Sequence, residues 1–194
     1  HHVKSSPYAD YLIDSEAAAT AEILFDILRL FQANGIATKV DHRVYSLLYA
    51  AISGDTGCFR YGNTNAHAFL VASVCAQAGA DIQGLNLDLF ETNSLAKLRI
   101  QAWIVENVKI FDEGRLAIVA IPRAVEDLLQ VTEDDMDNIS SYPRTVEGVC
   151  MAATLRQTKE GDTKLSVRAV PGYDAAAVCA HFGGGGHKGA AGGS

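Results

Sequence analysis

Apolar residues recur at intervals of three and four along the first half of the chain, and at intervals of two along much of the second. Ile23, Leu24, Ile27, Leu28 and Phe31 fall on one face of a helix. Asp14 or Ser15 is placed to cap that helix, and Gly35 follows its end. A second helix is expected from about Asp41 through Leu47 and Leu48 to Ile52, stopping at Ser53-Gly54-Asp55-Thr56-Gly57. Thr64 or Asn65 opens a third, which carries Phe69, Leu70 and Val74 and closes at Gly79. Ser94 caps a fourth, with Leu95, Leu98, Ala102 and Val105 on one face.

The period changes after Asn107. Val108 to Phe111 and Leu116 to Ile121 read as strands about the turn Asp112-Glu113-Gly114. A polar helical stretch rich in Glu and Asp is expected from Glu126 to Asp137. Val149, Met151, Ala153 and Leu155 then alternate, as do Leu165, Val167 and Ala169, about Lys159-Glu160-Gly161-Asp162. That pattern predicts an antiparallel hairpin whose solvent side includes Arg156 and Arg168. Asp174 to Phe182 reads as an alanine-rich capped helix. The whole predicts an α/β chain, helical over 1–110, followed by a smaller α+β domain with a β-sheet over 111–194.

Composition narrows the function. A formal charge of −7 over 194 residues argues against gripping long duplex nucleic acid, which needs a basic face. The four cysteines are scattered and form no C-x-x-C pair, which favours reduced thiols in the cytoplasm over a zinc finger. No apolar run approaches the roughly 18 residues of a membrane span. The sequence starts at His1 without Met, and the expectation is a portion of a longer protein.

Three places carry candidate chemistry. Gly183-Gly184-Gly185-Gly186-His187-Lys188 follows a helix exit, where unhindered backbone N–H groups and two donor side chains suit an anion. The same run also suits a flexible tail. Asp55 lies in a sharp Gly-Asp-Thr-Gly bend, which projects its carboxylate or lets it bond its own backbone. His1-His2 reads either as metal ligands or as the remnant of an expression tag. His with Asp and no nearby thiolate suits Mn²⁺ or Mg²⁺ better than structural zinc.

His1-His2, Asp14-x-Glu16-x-x-x-Thr20-x-Glu22 and Gly54-Asp55-Thr56-Gly57-x-Phe59-Arg60 with Asn63-Thr64 resemble the second half of a DHH phosphoesterase domain. Pro143 to Val149, Ser166-Val167-Arg168 and Gly183 to His187 resemble the DHH-associated C-terminal domain, in the oligoribonuclease (nanoRNase) and pAp phosphatase branch. The resemblance implies two Mn²⁺ ions, with Mg²⁺ as a substitute, and hydrolysis of short oligonucleotides to mononucleotides or of pAp to AMP. It implies His1 and Asp55 as metal ligands and His2 as a catalytic contact to the scissile phosphate. Arg168, Gly184, Gly185, Gly186 and His187 would bind substrate. A homodimer is implied, and long duplexes and membranes are not implied as partners. The family's remaining metal ligands lie upstream of His1, so the chain as given is expected to be a poor enzyme. Rival readings are a phosphodiesterase for cyclic di-AMP or linear diadenylate, and a nucleotide-binding module without catalysis.

Overall fold

The computed structural model describes residues 13–36 and 39–194; the candidate residues His1 and His2 lie outside the described residues. The chain divides into two compact units, His1–Thr92 and Asn93–Ser194. The expected division between residues 110 and 111 differs from this, because the fourth long helix packs its Ile100 and Ile104 onto Val119 and Ile121 of the second unit's sheet.

The first unit is helical: α1 Thr20–Ala33, α2 His42–Asp55, α3 Ala66–Gln77 and α4 Ile82–Asn86, which runs on into a π-turn at Leu87–Glu91. Two starts are set by the side chains the sequence suggests. Asp41 accepts from the Arg43 N–H at 2.8 Å, and Asn65 from the Ala68 N–H at 2.7 Å. The first helix differs from expectation. Neither Asp14 nor Ser15 caps it; Asp14 accepts from the Glu16 N–H instead. Ala17, Ala18 and Ala19 are buried ahead of the helix, and Glu22 reaches back to the Ala18 N–H at 3.2 Å. Phe25, Tyr45, Leu48, Ile52, Val71 and Cys75 form the core. The predicted stripe of α3 is only partly the buried one: Phe69 and Leu70 are exposed, and Ala68, Val71 and Cys75 face inward. Leu24, Phe31, Val44 and Leu47 frame an apolar groove of about 390 Å³ between α1 and α2.

The second unit is built on one sheet. Its strands are β1 Lys109–Phe111, β2 Leu116–Ile121, β3 Met151–Gln157, β4 Thr163–Ala169, β5 Gly185–His187 and β6 Ala190–Gly193. They lie in the order β1-β2-β3-β4-β6-β5, and only β2 and β3 run parallel. That parallel pair needs a crossover, supplied by α6 Arg123–Leu129 and 3₁₀ turns between 134 and 145. The helical stretch expected over 126–137 is therefore broken, at Gln130 in the left-handed conformation. Helix α5, Leu95–Asn107, covers one face of the sheet beside Ile139, and α7, Ala175–Ala180, covers part of the other through Ala175 and Cys179. Ser94 caps α5 as expected, but the helix turns the predicted Leu95, Leu98 and Val105 outward and buries Ile100 and Ile104.

Arg156 also differs from expectation. It was expected on the solvent side of the hairpin, yet its guanidinium bonds both oxygens of Glu126, at 2.5 and 2.9 Å, and both of Glu133. Glu126 is fully buried and also accepts from Arg123, so this network ties α6 to β3. The two carboxylates hold Arg156 charged, well above the usual guanidinium range.

Candidate functional site

In the first unit the sequence motif around Asp55 folds into a strained turn. Asp55 is the last residue of α2, and Gly57, Cys58 and Phe59 follow with φ of 57°, 58° and 61°. A left-handed backbone costs a non-glycine residue roughly 1–2 kcal/mol, so Cys58 and Phe59 persist only because their surroundings hold them. The buried Thr56 hydroxyl donates to the Ile52 carbonyl at 2.7 Å and accepts from the Phe59 N–H at 3.1 Å. The Cys58 N–H donates to the Ser53 carbonyl at 2.7 Å, and Arg60 Nε to the Gly57 carbonyl at 2.6 Å. Tyr61 lays its ring where a Gly57 Cβ would stand, which explains that glycine.

Asn63 then ties the turn to the start of α1, donating to the Asp55 carbonyl at 3.2 Å and to the Ala18 carbonyl at 3.1 Å. Asn65 donates to the Glu16 carbonyl and to Glu22 Oε2. His67 places Nδ1 at 3.2 Å from Glu22 and Nε2 at 3.2 Å from Asp26. All this order surrounds an exposed carboxylate: among the described residues that of Asp55 has no hydrogen-bond or ion-pair partner. The hydrogen bonds of the motif thus hold the turn and leave the Asp55 side chain exposed.

In the second unit the register of the sheet collects most of the other candidates. Opposed residues on neighbouring strands share a face. One row across the sheet reads Ala117, Ala152, Arg168, Ala190, His187, and the next reads Val119, Thr154, Ser166, Gly192, Gly185. Arg168 and His187 therefore rise from the same face, one strand apart, about 10 Å between backbones. Between them lies Ala190, and beside them lie Gly192 and Gly185, with Ser166 next to Arg168 along β4. The result is a floor of small residues, flanked by a guanidinium and an imidazole. A guanidinium fork suits a phosphate oxygen pair, and the small-residue floor lets a sugar or base lie against the backbone.

The four glycines divide by cause. The expected loop is in fact strand β5 and its approach. A Cβ on Gly184 would collide with the Gly192 carbonyl oxygen, and one on Gly186 would stand 2.6 Å from Ala191 Cα. Gly183 and Gly186 also have positive φ, at 72° and 147°. The Gly184 N–H is already donated to the Cys179 carbonyl at 2.9 Å. Gly185 is different: nothing lies within 4 Å of a Cβ built there. The fold explains three of these glycines and leaves Gly185 to the open face.

Other chemistry is limited. Burial pushes the Cys75 thiol up to about 11 and raises that of Cys179 too, with the Arg168 charge opposing the latter. Neither is a poised nucleophile. Among the described residues no three of His, Cys, Asp and Glu converge to hold a metal ion. Asp55 fits as one oxygen ligand of a larger set and does not make a metal site alone. The sequence singles out Arg168 and the glycines; alternation along β4 also puts Ser166 on the Arg168 face, but only the strand pairing adds Thr154.

No protein-family profile matches the chain. It is 28% identical over 182 residues to the bifunctional oligoribonuclease and PAP phosphatase NrnA of Thermus thermophilus, covering 94% of this chain and 52% of that protein. It is also 28% identical over 119 residues to the protein of the same name from Bacillus subtilis, covering 61% of this chain and 37% of that one. The chain spans about half the length, or less, of these curated relatives. A solved structure of an exopolyphosphatase-related protein from Bacteroides fragilis superposes with a TM-score of 0.88 at 24% identity, over 100% of this chain and 56% of that one. That likeness shows the fold. The motif resemblance to DHH phosphoesterases is thus matched by homologues of that family over most of the chain.

Proposed function

We propose that this chain, a homologue of NrnA-type DHH phosphoesterases, is the part of such an enzyme that carries the Asp55 turn and the nucleotide-binding face. The reaction is hydrolysis of short oligonucleotides to mononucleotides and of pAp to AMP. The observation that carries this reading is the register that sets Arg168 and His187 on one face about a floor of alanine and glycine. Arg168 grips a terminal phosphate with its fork, His187 donates from the other side, and Gly185 and Gly192 admit the rest of the nucleotide. The net charge of −7 suits a few placed donors and short substrates, since long strands rely on extended basic grooves.

Asp55 is proposed as a ligand for manganese, or magnesium in its place, with His1 as another ligand and His2 as a contact to the scissile phosphate. When bound, such ions neutralise phosphate charge and acidify water. The free cysteines support a cytoplasmic setting, and among the described residues no helix is long and apolar enough to cross a membrane.

The test is release of mononucleotide from linear diadenylate, with pAp in parallel and manganese titrated, for this chain and for one extended upstream as in the relatives. Manganese-dependent turnover by the extended protein supports the reading. Binding of pAp with no turnover in either would overturn it in favour of a nucleotide-binding module.

A further inference from the structure

Thr154 is buried in the sheet, 4% exposed, and among the described residues its hydroxyl has no hydrogen-bond partner. Such a group costs stability unless something satisfies it, and a valine of the same shape would avoid the cost. Its location is informative. Thr154 on β3 is paired directly with Ser166 on β4, and that row continues over Gly192 and Gly185. Paired residues of this kind have Cβ atoms about 4.5–5.5 Å apart, close enough for two hydroxyls to bond after one rotamer change. Ser166 is half-buried and stands between the orphaned hydroxyl and the glycine floor. Its own hydroxyl has one proton to donate and two lone pairs to accept with.

We infer that Thr154 is a positioning residue which, by donating to the Ser166 hydroxyl, turns that hydroxyl's proton toward the ribose 2′-hydroxyl of a nucleotide held by Arg168 and His187. The site then distinguishes ribonucleotides from deoxyribonucleotides. The inference rests on the proposed nucleotide-binding face. A threonine retained only for shape would leave ligand choice alone, whereas a relay through Ser166 makes it depend on the Thr154 oxygen. Recognition of a hydroxyl by a placed polar group penalises the ligand that lacks it, because the group is left unpaired.

The experiment is calorimetric titration of the whole chain with adenosine 3′,5′-bisphosphate and with its 2′-deoxy counterpart, alongside melting curves. Wild type should prefer the ribose form by about three- to tenfold, the value of one hydrogen bond. Thr154→Val and Ser166→Ala should bring the ratio near one, while Thr154→Ser keeps the preference. Thr154→Val should also melt no lower than wild type. A Thr154→Val protein that melts normally and retains the full ribose preference overturns the inference. Equal binding of both ligands by wild type overturns it as well, and leaves the proposed function standing. Binding of neither ligand overturns the nucleotide-binding face itself.

Discussion

Gly185→Ala separates what the glycine run does for the fold from what it does for a ligand. The new methyl group meets nothing within 4 Å, and Gly185 is not held at a positive φ. Replacing such a glycine reduces the freedom of the unfolded chain and typically stabilises by about 0.4–1 kcal/mol. For a chain of this size that corresponds to a rise of roughly 1–4 °C in Tm. Gly184→Ala provides the contrast, because its methyl would strike the backbone of Gly192 and Gly193. Overpacking against backbone costs about 1–3 kcal/mol or more, so this variant should melt several degrees lower. Affinity should rank the two differently. At Gly185 the methyl projects into the row of Ser166 and Gly192, on the face shared by Arg168 and His187. Gly185→Val should raise the Kd for pAp at least about tenfold, equivalent to roughly 1.4 kcal/mol, with the fold intact. Paired melting curves and calorimetric titrations measure both quantities. Unchanged affinity in a folded Gly185→Val protein would refute the assignment of this face.

Three further outcomes follow from other parts of the molecule. Glu126→Gln sets a neutral buried amide against Arg156 and Arg123, which keep Glu133 and Asp127 as partners, and denaturant unfolding should show a loss of about 1–3 kcal/mol. Asp55→Asn should leave the melting temperature within error, since the exposed carboxylate has no partner among the described residues, yet abolish turnover in the upstream-extended protein. The Ser94 hydroxyl, 2.5 Å away, and the Thr132 N–H and hydroxyl hold the Asp135 carboxyl below the usual carboxylate range. A group depressed in the folded state contributes stability that is complete above its unfolded pKa, near 3.9, and lost as pH falls toward the folded value. Acid unfolding below about pH 4 should therefore be shallower in Asp135→Asn than in wild type.

Local chemistry was legible where one side chain decides the outcome. Asp41, Asn65, Ser94 and Asp174 each cap the helix they precede, because capping is settled within three residues. The start of α1 was not legible, since buried alanines and the back-reaching Glu22 replace the expected cap. Helix α5 carries two apolar stripes, and only the sheet determines that Ile100 and Ile104 face in and Leu98 and Val105 face out. Arg156 looked solvated because its partners Glu126 and Glu133 lie 30 and 23 residues away. The same limit governs the site. Arg168 and the glycines are visible as motif residues, but their common face depends on β6 inserting between β4 and β5. Thr154 has no local signal at all; strand pairing alone brings it beside Ser166.

The proposed function depends on nucleotide binding at the face bearing Arg168, Gly185 and His187. Its most direct test is an amide chemical-shift map of the isotopically labelled chain titrated with pAp. Saturable shifts should concentrate at Ser166, Arg168, Gly185, His187 and Gly192. No shifts at saturating ligand, or shifts confined to residues outside β4, β5 and β6, would contradict it.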